Sequence, residues 1–108
     1  MNWLLREGDV LAAADVVRLR SPLSQGLKGK DAYNGALVLE RVWAVHTFGM
    51  RFPVDVAYCD RDLVVVRVRR MRPGRLGLPC LRAHLVIEGE AGSFERWGLT
   101  VGDTLELR

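Results

Sequence analysis

Residues 54–69 read VDVAYCDRDLVVVRVR and contain the clearest structural pattern of the chain. Val54–Cys59 is a short apolar run, Asp60–Asp62 is a polar triplet, and valine then alternates with arginine from Val66 to Arg69. A period of two residues is typical of a strand with one buried face, and the triplet is typical of a turn. The stretch therefore predicts two strands joined by a turn, with the even-numbered valines facing the core. At Arg70–Met71 the alternation changes phase, which predicts a bulge or the end of the strand.

Short apolar segments of the same kind recur along the rest of the chain. Further strands are predicted over residues 3–5, 10–17, 36–39, 42–46, 85–87 and 105–107. Ser21-Pro22 predicts a short helix from Pro22 to about Lys28, and Ala91–Trp97 followed by Gly98 predicts a second. Because the connections are sequential, we expect an α+β fold, mainly an antiparallel β sheet or small barrel-like sheet with two short helices. No repeat or linker divides residues 1–108, which are predicted to form a single domain.

Composition is that of an ordinary globular domain. The chain has 108 residues, of which 49% are hydrophobic and 27% are charged, and these values exclude disordered, collagen-like and coiled-coil proteins. Arg6 and Glu7 follow only three apolar side chains, and charges interrupt every longer apolar run, so we expect no signal peptide and no membrane span. Two cysteines are too few for a disulfide framework. A cytoplasmic protein with reduced thiols is the prediction.

Positive charge is concentrated in one part of the chain. The net charge is +3, but residues 63–85 contain six arginines and no acidic residue. Five of them could neutralise phosphates or another anionic ligand, namely Arg67, Arg69, Arg70, Arg72 and Arg75. The pattern is also typical of a solvated strand face that resists edge-to-edge pairing, and this second interpretation is favoured. Nucleic acid is an unfavoured partner, because residues 59–93 contain no aromatic side chain on which bases could stack.

The segment His46–Asp55, HTFGMRFPVD, is the candidate binding site, because it combines an imidazole, a hydroxyl, a guanidinium and a carboxylate. In such a pocket the guanidinium would bind an acidic group, the imidazole and hydroxyl would add hydrogen bonds, and apolar side chains would form the floor. Glu88 precedes the second predicted helix and could face the same cleft. The candidate ligand-binding residues are His46, Thr47, Met50, Arg51, Phe52, Asp55 and Glu88.

Two other interpretations of this segment remain open. In a structural one, Asp55 caps a turn or pairs with Arg51, the apolar side chains fill the core, and His46 is a satisfied polar residue. In a catalytic one, Asp55 orients His46 as a general base in a small hydrolase-like enzyme, although no nucleophile lies beside them in the sequence.

Metal binding has little support in the sequence. Cys59, Cys80, His46 and His84 could form a tetrahedral set, but they lack the Cys-x-x-Cys spacing of a zinc knuckle. Cys59 lies in a predicted strand, where a buried thiol behaves as a small hydrophobic side chain. We therefore predict neither a metal nor a cofactor.

Three stretches, in order along the chain, carry a family resemblance. They are residues 21–30, SPLSQGLKGK, residues 46–55, and residues 86–92, VIEGEAG, together with residues 98–103, GLTVGD. They resemble the prokaryotic family known as domain of unknown function 192, over about residues 14–107. The resemblance implies a compact, mainly antiparallel fold with two short helices, and it implies no activity or cofactor. Gly89-Glu90 departs from the apolar residue and proline usual in that family.

Taken together, these observations favour a non-catalytic binding or accessory module over an enzyme. Its partner is expected to be a small molecule or an acidic protein segment, bound at residues 46–55, with no role for a membrane. A monomer or weak dimer is expected. The alternatives are the hydrolase-like enzyme and a phosphate- or nucleic-acid-binding module built on Arg67 to Arg75.

Overall fold

The fold is built almost entirely from short strands. The computed structural model describes residues 2–18, 23–24 and 32–108. Its strands are β1 (Asn2–Arg6), β2 (Asp9–Arg18), β3 (Leu23–Ser24), β4 (Ala36–Glu40), β5 (Ala44–Val45), β6 (Val54–Cys59), β7 (Val65–Met71), β8 (Leu85–Glu90) and β9 (Leu105–Leu107). In this part of the chain one helix, α1, spans Ser93–Trp97. It is neither long nor apolar enough to cross a membrane.

Seven strands form one mixed sheet in the order β7-β6-β8-β4-β2-β1-β9. The β2 and β4 strands are parallel, whereas every other neighbouring pair in this sheet is antiparallel. An isolated bridge between Val64 and Thr104 brings the start of β7 beside the start of β9, so the sheet curls into a half-barrel. The expected mainly antiparallel, barrel-like sheet is confirmed, and the parallel pair is an addition that the sequence did not predict.

Apolar side chains cover both faces of the sheet. An inner cluster includes Leu4, Val38, Ala57, Ile87 and Leu105, and α1 packs against it through Phe94. An outer cluster lies on the opposite face, where the chain from Val42 to Phe52 packs over Leu37, Val56, Tyr58 and Val86. β6, which lies between β7 and β8, is buried at every position. Burial on both faces explains why its sequence is nearly continuous in apolar residues.

The register of β7 differs from the predicted one. Tyr58 pairs with Arg67 but Cys59 pairs with Val65, so Val66 is the extra residue of a bulge. Of the two alternatives predicted at Arg70–Met71, a bulge or the end of the strand, the second is confirmed, because β7 ends at Met71, which packs in the outer cluster. The bulge lets both Val65 and Val68 face the inner cluster.

Only one of the two predicted helices is found among the described residues. Leu23 and Ser24, inside the first predicted helix, instead form β3, which pairs in parallel with Ala44 and Val45 of β5. Pairing between distant segments here overrides the local Ser21-Pro22 signal. The other residues of that predicted helix, Pro22 and 25–28, lie outside the described residues.

The second predicted helix is confirmed in a shorter form, as α1. Gly98 adopts the left-handed conformation with φ of 64°, as the sequence predicted for its end. The amide of Leu99 then donates to the carbonyl of Phe94 at 2.9 Å, the bond that closes a Schellman motif. Gly89 of β8 lies directly beneath α1, where an added Cβ would come within 3.1 Å of Ser93 and of Trp97. The glycine that departs from the family pattern therefore gives the helix room to pack.

Candidate functional site: an arginine-lined cavity beside β7

Thr47 is fully buried and connects the candidate segment 46–55 to the loop after β7. Its hydroxyl donates to the carbonyl of Arg72 at 2.6 Å and accepts from the amide of Arg75 at 2.8 Å. Its amide donates to the carbonyl of Arg75, and its carbonyl accepts from the amide of Gly74, both at 2.8 Å. These four bonds fix the backbone that carries Arg72 and Arg75. The sequence pointed to Thr47 but not to this role, because its partners lie more than 20 residues away.

His46 is buried beside the same loop. Its ring stacks on that of Phe48 with centroids 5.0 Å apart, and its Nδ1 accepts from the amide of Phe48 at 3.3 Å. Its backbone forms an isolated bridge with Leu76. Met50 and Phe52 are buried in the outer cluster, whereas Arg51 is exposed. Met50 and Phe52, the predicted apolar floor of a pocket in this segment, therefore lie in the core.

Asp55 caps the helix from the neighbouring strand. Its Oδ2 accepts from the amide of Gly92 at 2.9 Å and from that of Phe94 at 3.2 Å. Its Oδ1 accepts from Nε of Arg70 at 3.0 Å. Gly92 is the N-cap residue and has no side chain with which to cap α1, so the buried carboxylate of Asp55 takes that place.

This arrangement does not match the catalytic interpretation. The hydrogen bonds of Asp55 go to α1 and Arg70, and the side chain of His46 is bonded to the amide of Phe48. Among the described residues no hydrogen bond joins His46 to Asp55. The structure therefore does not bring together a base and the group that would orient it.

Glu88 is the most unusual polar residue of the core. It lies on β8 between Leu37 of β4 and Val56 of β6, and its side chain is fully buried. Neither carboxyl oxygen has a hydrogen-bond partner in the described part of the chain. Burial raises the pKa of this carboxyl from 4.5 to about 7. The predicted cleft shared with Asp55 does not form, because Glu88 and Asp55 point to opposite faces of the sheet.

The arginine cluster forms a cavity. The cavity measures about 370 Å³ and lies between β7 and the loop of residues 72–78. Five arginines line it together with Tyr58, Met71 and residues 76–78, and none of the lining residues that the structure describes is acidic. The arginines are Arg67, Arg69, Arg70, Arg72 and Arg75. We call it the arginine cavity.

The floor of the arginine cavity is Tyr58. The guanidinium of Arg67 lies over the Tyr58 ring, 5.5 Å from its centroid, and donates to the carbonyls of Leu78 and Pro79 at 3.3 Å. Burial raises the pKa of Tyr58, although Arg67 partly opposes this effect. Leu76 and Leu78 form an apolar rim, with 65% and 79% of their surface exposed. The cavity therefore offers cationic groups beside apolar surface.

Most of these arginines have no acidic partner among the residues that the structure describes. Arg70 is the one paired with a carboxylate, that of Asp55, and this bond raises the pKa of its guanidinium. Arg69 donates to the carbonyl of Val68 at 2.8 Å. Within the described residues, Arg67, Arg69, Arg72 and Arg75 form no ion pair. Their positive charge is available to a ligand.

A second cavity, of about 460 Å³, lies on the other face of β7. Val68, Phe94 and Leu99 supply its apolar lining, and Arg69 and Arg70 separate it from the arginine cavity. Asp55, Glu95 and Thr100 also line it. We call it the mouth cavity.

The two cysteines are buried as free thiols. Cys59 belongs to the inner cluster and Cys80 to the outer one, so the sheet separates them. Burial raises the pKa of Cys59 to about 12, which makes this thiol unreactive at neutral pH. In the described ranges no group of three His, Cys, Asp or Glu residues could hold a metal ion.

The comparisons with known proteins agree on fold and family. The model of domain of unknown function 192, described as "Uncharacterized ACR", matches residues 4–107. A UPF0127 protein of Pyrococcus abyssi is 37% identical over 62 residues, covering 57% of this chain and 53% of that protein. One from Pyrococcus horikoshii is 33% identical over 63 residues, covering 58% and 55%. The match thus spans about half the length of these curated relatives.

A solved structure shows the same fold. A protein of unknown function from Novosphingobium aromaticivorans superimposes with a TM-score of 0.78 at 17% identity, covering 97% of this chain and 82% of that one. Fold and cavity together define a small curled-sheet domain with a cationic site beside one edge strand. This chain belongs to the family of domain of unknown function 192, an uncharacterised family.

Proposed function

We propose that this chain is a non-catalytic binding module that recognises an anionic partner in the arginine cavity. One observation carries the proposal: five arginines line a cavity of about 370 Å³, and none of its lining residues in the described part of the chain is acidic. Cavities of roughly this size and larger are typical of ligand sites. Guanidinium groups bind carboxylates and phosphates through paired hydrogen bonds, so the expected partner carries such groups.

The anchoring of the cavity supports a preformed site. The loop that carries Arg72 and Arg75 is held by four hydrogen bonds from Thr47, which is fully buried. A site that is ordered before binding loses less conformational entropy when the ligand arrives. In this proposal the segment 46–55 contributes to binding by holding the loop of residues 72–78 in place. The arginines make the contacts with the ligand.

The free, buried thiols fit a protein of a reducing compartment. We infer a cytoplasmic location on this basis.

The proposal is tested by calorimetric titration with two simple polyanions, citrate and tripolyphosphate, at two salt concentrations. The informative variant is the double change Arg72→Gln and Arg75→Gln, because both residues line the cavity and lie in an exposed loop. The matched control is Arg61→Gln with Arg82→Gln, which removes the same charge at exposed positions outside the cavity.

We expect the cavity variant to bind at least about tenfold more weakly and the control less than about twofold, since each lost charge-assisted bond is worth roughly 1.5 kcal/mol or more. Equal losses in both variants would mean that binding depends only on net charge. That result, or no binding by the unaltered protein, would overturn the proposal.

A further inference from the structure

Over most of its length, the outer edge of β7 carries no neighbouring strand from the described residues. The strand ends the sheet order, and at its start Val65 is bonded to residues 102–103, which directly precede β9. From Val66 to Met71, no backbone bond of the described chain reaches this edge from another strand. Six residues of strand extend over roughly 20 Å, enough to pair with a short extended peptide.

The two cavities lie on opposite faces of this free edge. Arg67, Arg69 and Met71 share the face of Val54, Val56 and Tyr58, where the arginine cavity lies. Val68 and Arg70 share the face of Asp55 and Ala57, where the mouth cavity lies. Successive side chains of a strand point to alternate faces. Along a strand added to β7, successive side chains would therefore enter the arginine cavity and the mouth cavity alternately.

The chemistry of the cavities specifies such a strand. The arginine cavity has unpaired guanidinium groups and suits acidic side chains. The mouth cavity shares Arg69 and Arg70 with the arginine cavity, but Val68, Phe94 and Leu99 line it as well, and its two carboxylates, Asp55 and Glu95, disfavour a further one. The exposed Leu76 and Leu78 offer further apolar contact beside the edge. The matching sequence alternates acidic with apolar residues.

We propose that the partner of this module is an extended protein segment of alternating acidic and apolar residues, which adds to β7 as a further strand. This inference rests on the proposed function, since its acidic side chains occupy the arginine cavity. Edge strands rich in arginine resist pairing with other cationic strands, including those of a second copy of the chain, because like charges repel. An acidic strand removes that repulsion, so the same residues act as a selectivity device. Backbone hydrogen bonds would supply the remaining affinity.

The test uses a probe peptide of sequence Glu-Val-Glu-Val-Glu-Val with blocked ends, added to the whole protein. Two matched peptides accompany it: one with lysine in place of each glutamate, and one in which N-methyl groups block the amides that face the partner strand. Binding is followed by backbone amide NMR shifts and by hydrogen exchange of residues 66–71. The double variant Arg72→Gln with Arg75→Gln is titrated in parallel, after its spectrum has shown that it folds.

We expect the acidic peptide to slow exchange at the β7 edge, the N-methylated peptide to bind at least about tenfold more weakly, and the lysine peptide not to bind. If the N-methylated peptide binds equally well, or if exchange at β7 is unchanged, no strand is added and this inference is wrong. Binding of citrate without any effect of the peptide would leave the proposed function standing and overturn the strand addition alone. If neither citrate nor the peptide binds, both proposals fail.

Discussion

Glu88 makes the stability of this protein depend on pH in an unusual direction. Most acidic residues that titrate on folding have a lowered pKa and stabilise the protein at neutral pH. Here burial raises the pKa of a carboxyl without a hydrogen-bond partner in the described chain from 4.5 to about 7. The folded state therefore binds this proton more tightly than the unfolded state does. The resulting contribution to the free energy of unfolding is fully present below pH 4.5 and is lost as the pH rises through about 7.

The size of the effect follows from the pKa difference. Each unit of difference between the folded and unfolded states is worth 1.36 kcal/mol, so the rise from 4.5 to about 7 corresponds to about 3 kcal/mol. We expect Glu88→Gln, which has nearly the same shape and no charge, to gain about 3 kcal/mol in stability relative to the unaltered protein between pH 4.5 and pH 8. Taking the difference between the two proteins cancels the titrating groups that do not interact with Glu88. Tyr58 does interact with it, but the pKa of Tyr58 is raised by burial, so this side chain stays protonated over the range.

Urea unfolding at several pH values from 4.5 to 8.5 measures this difference. Glu88→Leu extends the test, because the site lies between Leu37 and Val56 and an apolar side chain would be stable there at every pH. Glu95→Gln is the control, since Glu95 is exposed on α1 and its replacement should leave the pH dependence unchanged. A difference between Glu88→Gln and the unaltered protein that varies by less than about 1 kcal/mol over this range would refute the argument.

Substitutions at three other positions, Asp55, Thr47 and Gly89, test the contacts that hold α1 and the loop of residues 72–78 in place. Asp55→Ala leaves two amides of the helix start without an acceptor and should lower the free energy of unfolding by roughly 2–4 kcal/mol in urea titrations, whereas Asp55→Asn should lose less. An unchanged midpoint in Asp55→Ala would contradict the capping role. Thr47→Val removes the hydroxyl that holds residues 72–75 and should speed amide exchange at Arg75 and weaken citrate binding, while Thr47→Ser should retain both properties. Gly89→Ala places a methyl group within 3.1 Å of Trp97 and should cost roughly 1–3 kcal/mol, with altered Trp97 fluorescence; unaltered fluorescence would show that the helix does not pack as described.

The strands were predictable because their cause is local. The apolar run of β6, the alternation in β7 and the glycine at the end of α1 each act on neighbouring residues, and all three elements are found where they were predicted. The facing of the β7 valines was not predictable in this way, because the bulge at Val66 turns Val65 toward the inner cluster. The first predicted helix shows the limit of this reasoning. Ser21-Pro22 is a local signal for a helix start, but Leu23 and Ser24 pair with a strand about 20 residues further on.

The candidate site was predictable only in its residue types. The sequence indicated both the segment 46–55 and the arginine cluster of residues 67–75. It did not show that the segment holds the backbone of the loop that carries Arg72 and Arg75. That relation depends on the bonds of Thr47 to Arg72 and Arg75, which are 25 and 28 residues away. Asp55 could be recognised as a carboxylate in an otherwise apolar strand. Its acceptor role for α1 could not, because the amides of Gly92 and Phe94 reach it only after β6 and β8 have paired.

The position of β9 has a consequence for the order of events during synthesis on the ribosome. Leu105–Leu107 pairs with β1, and the bridge from Thr104 to Val64 then brings the two ends of the sheet together. Translation proceeds from the amino end, so β1 is made first and its neighbour β9 is made last. The pairing of β1 with β9 therefore cannot form until the other strands have been translated. Contacts between such distant segments form slowly. The half-barrel is thus expected to close after translation of β9. Until then, we expect the nascent chain to expose the apolar residues of the inner cluster.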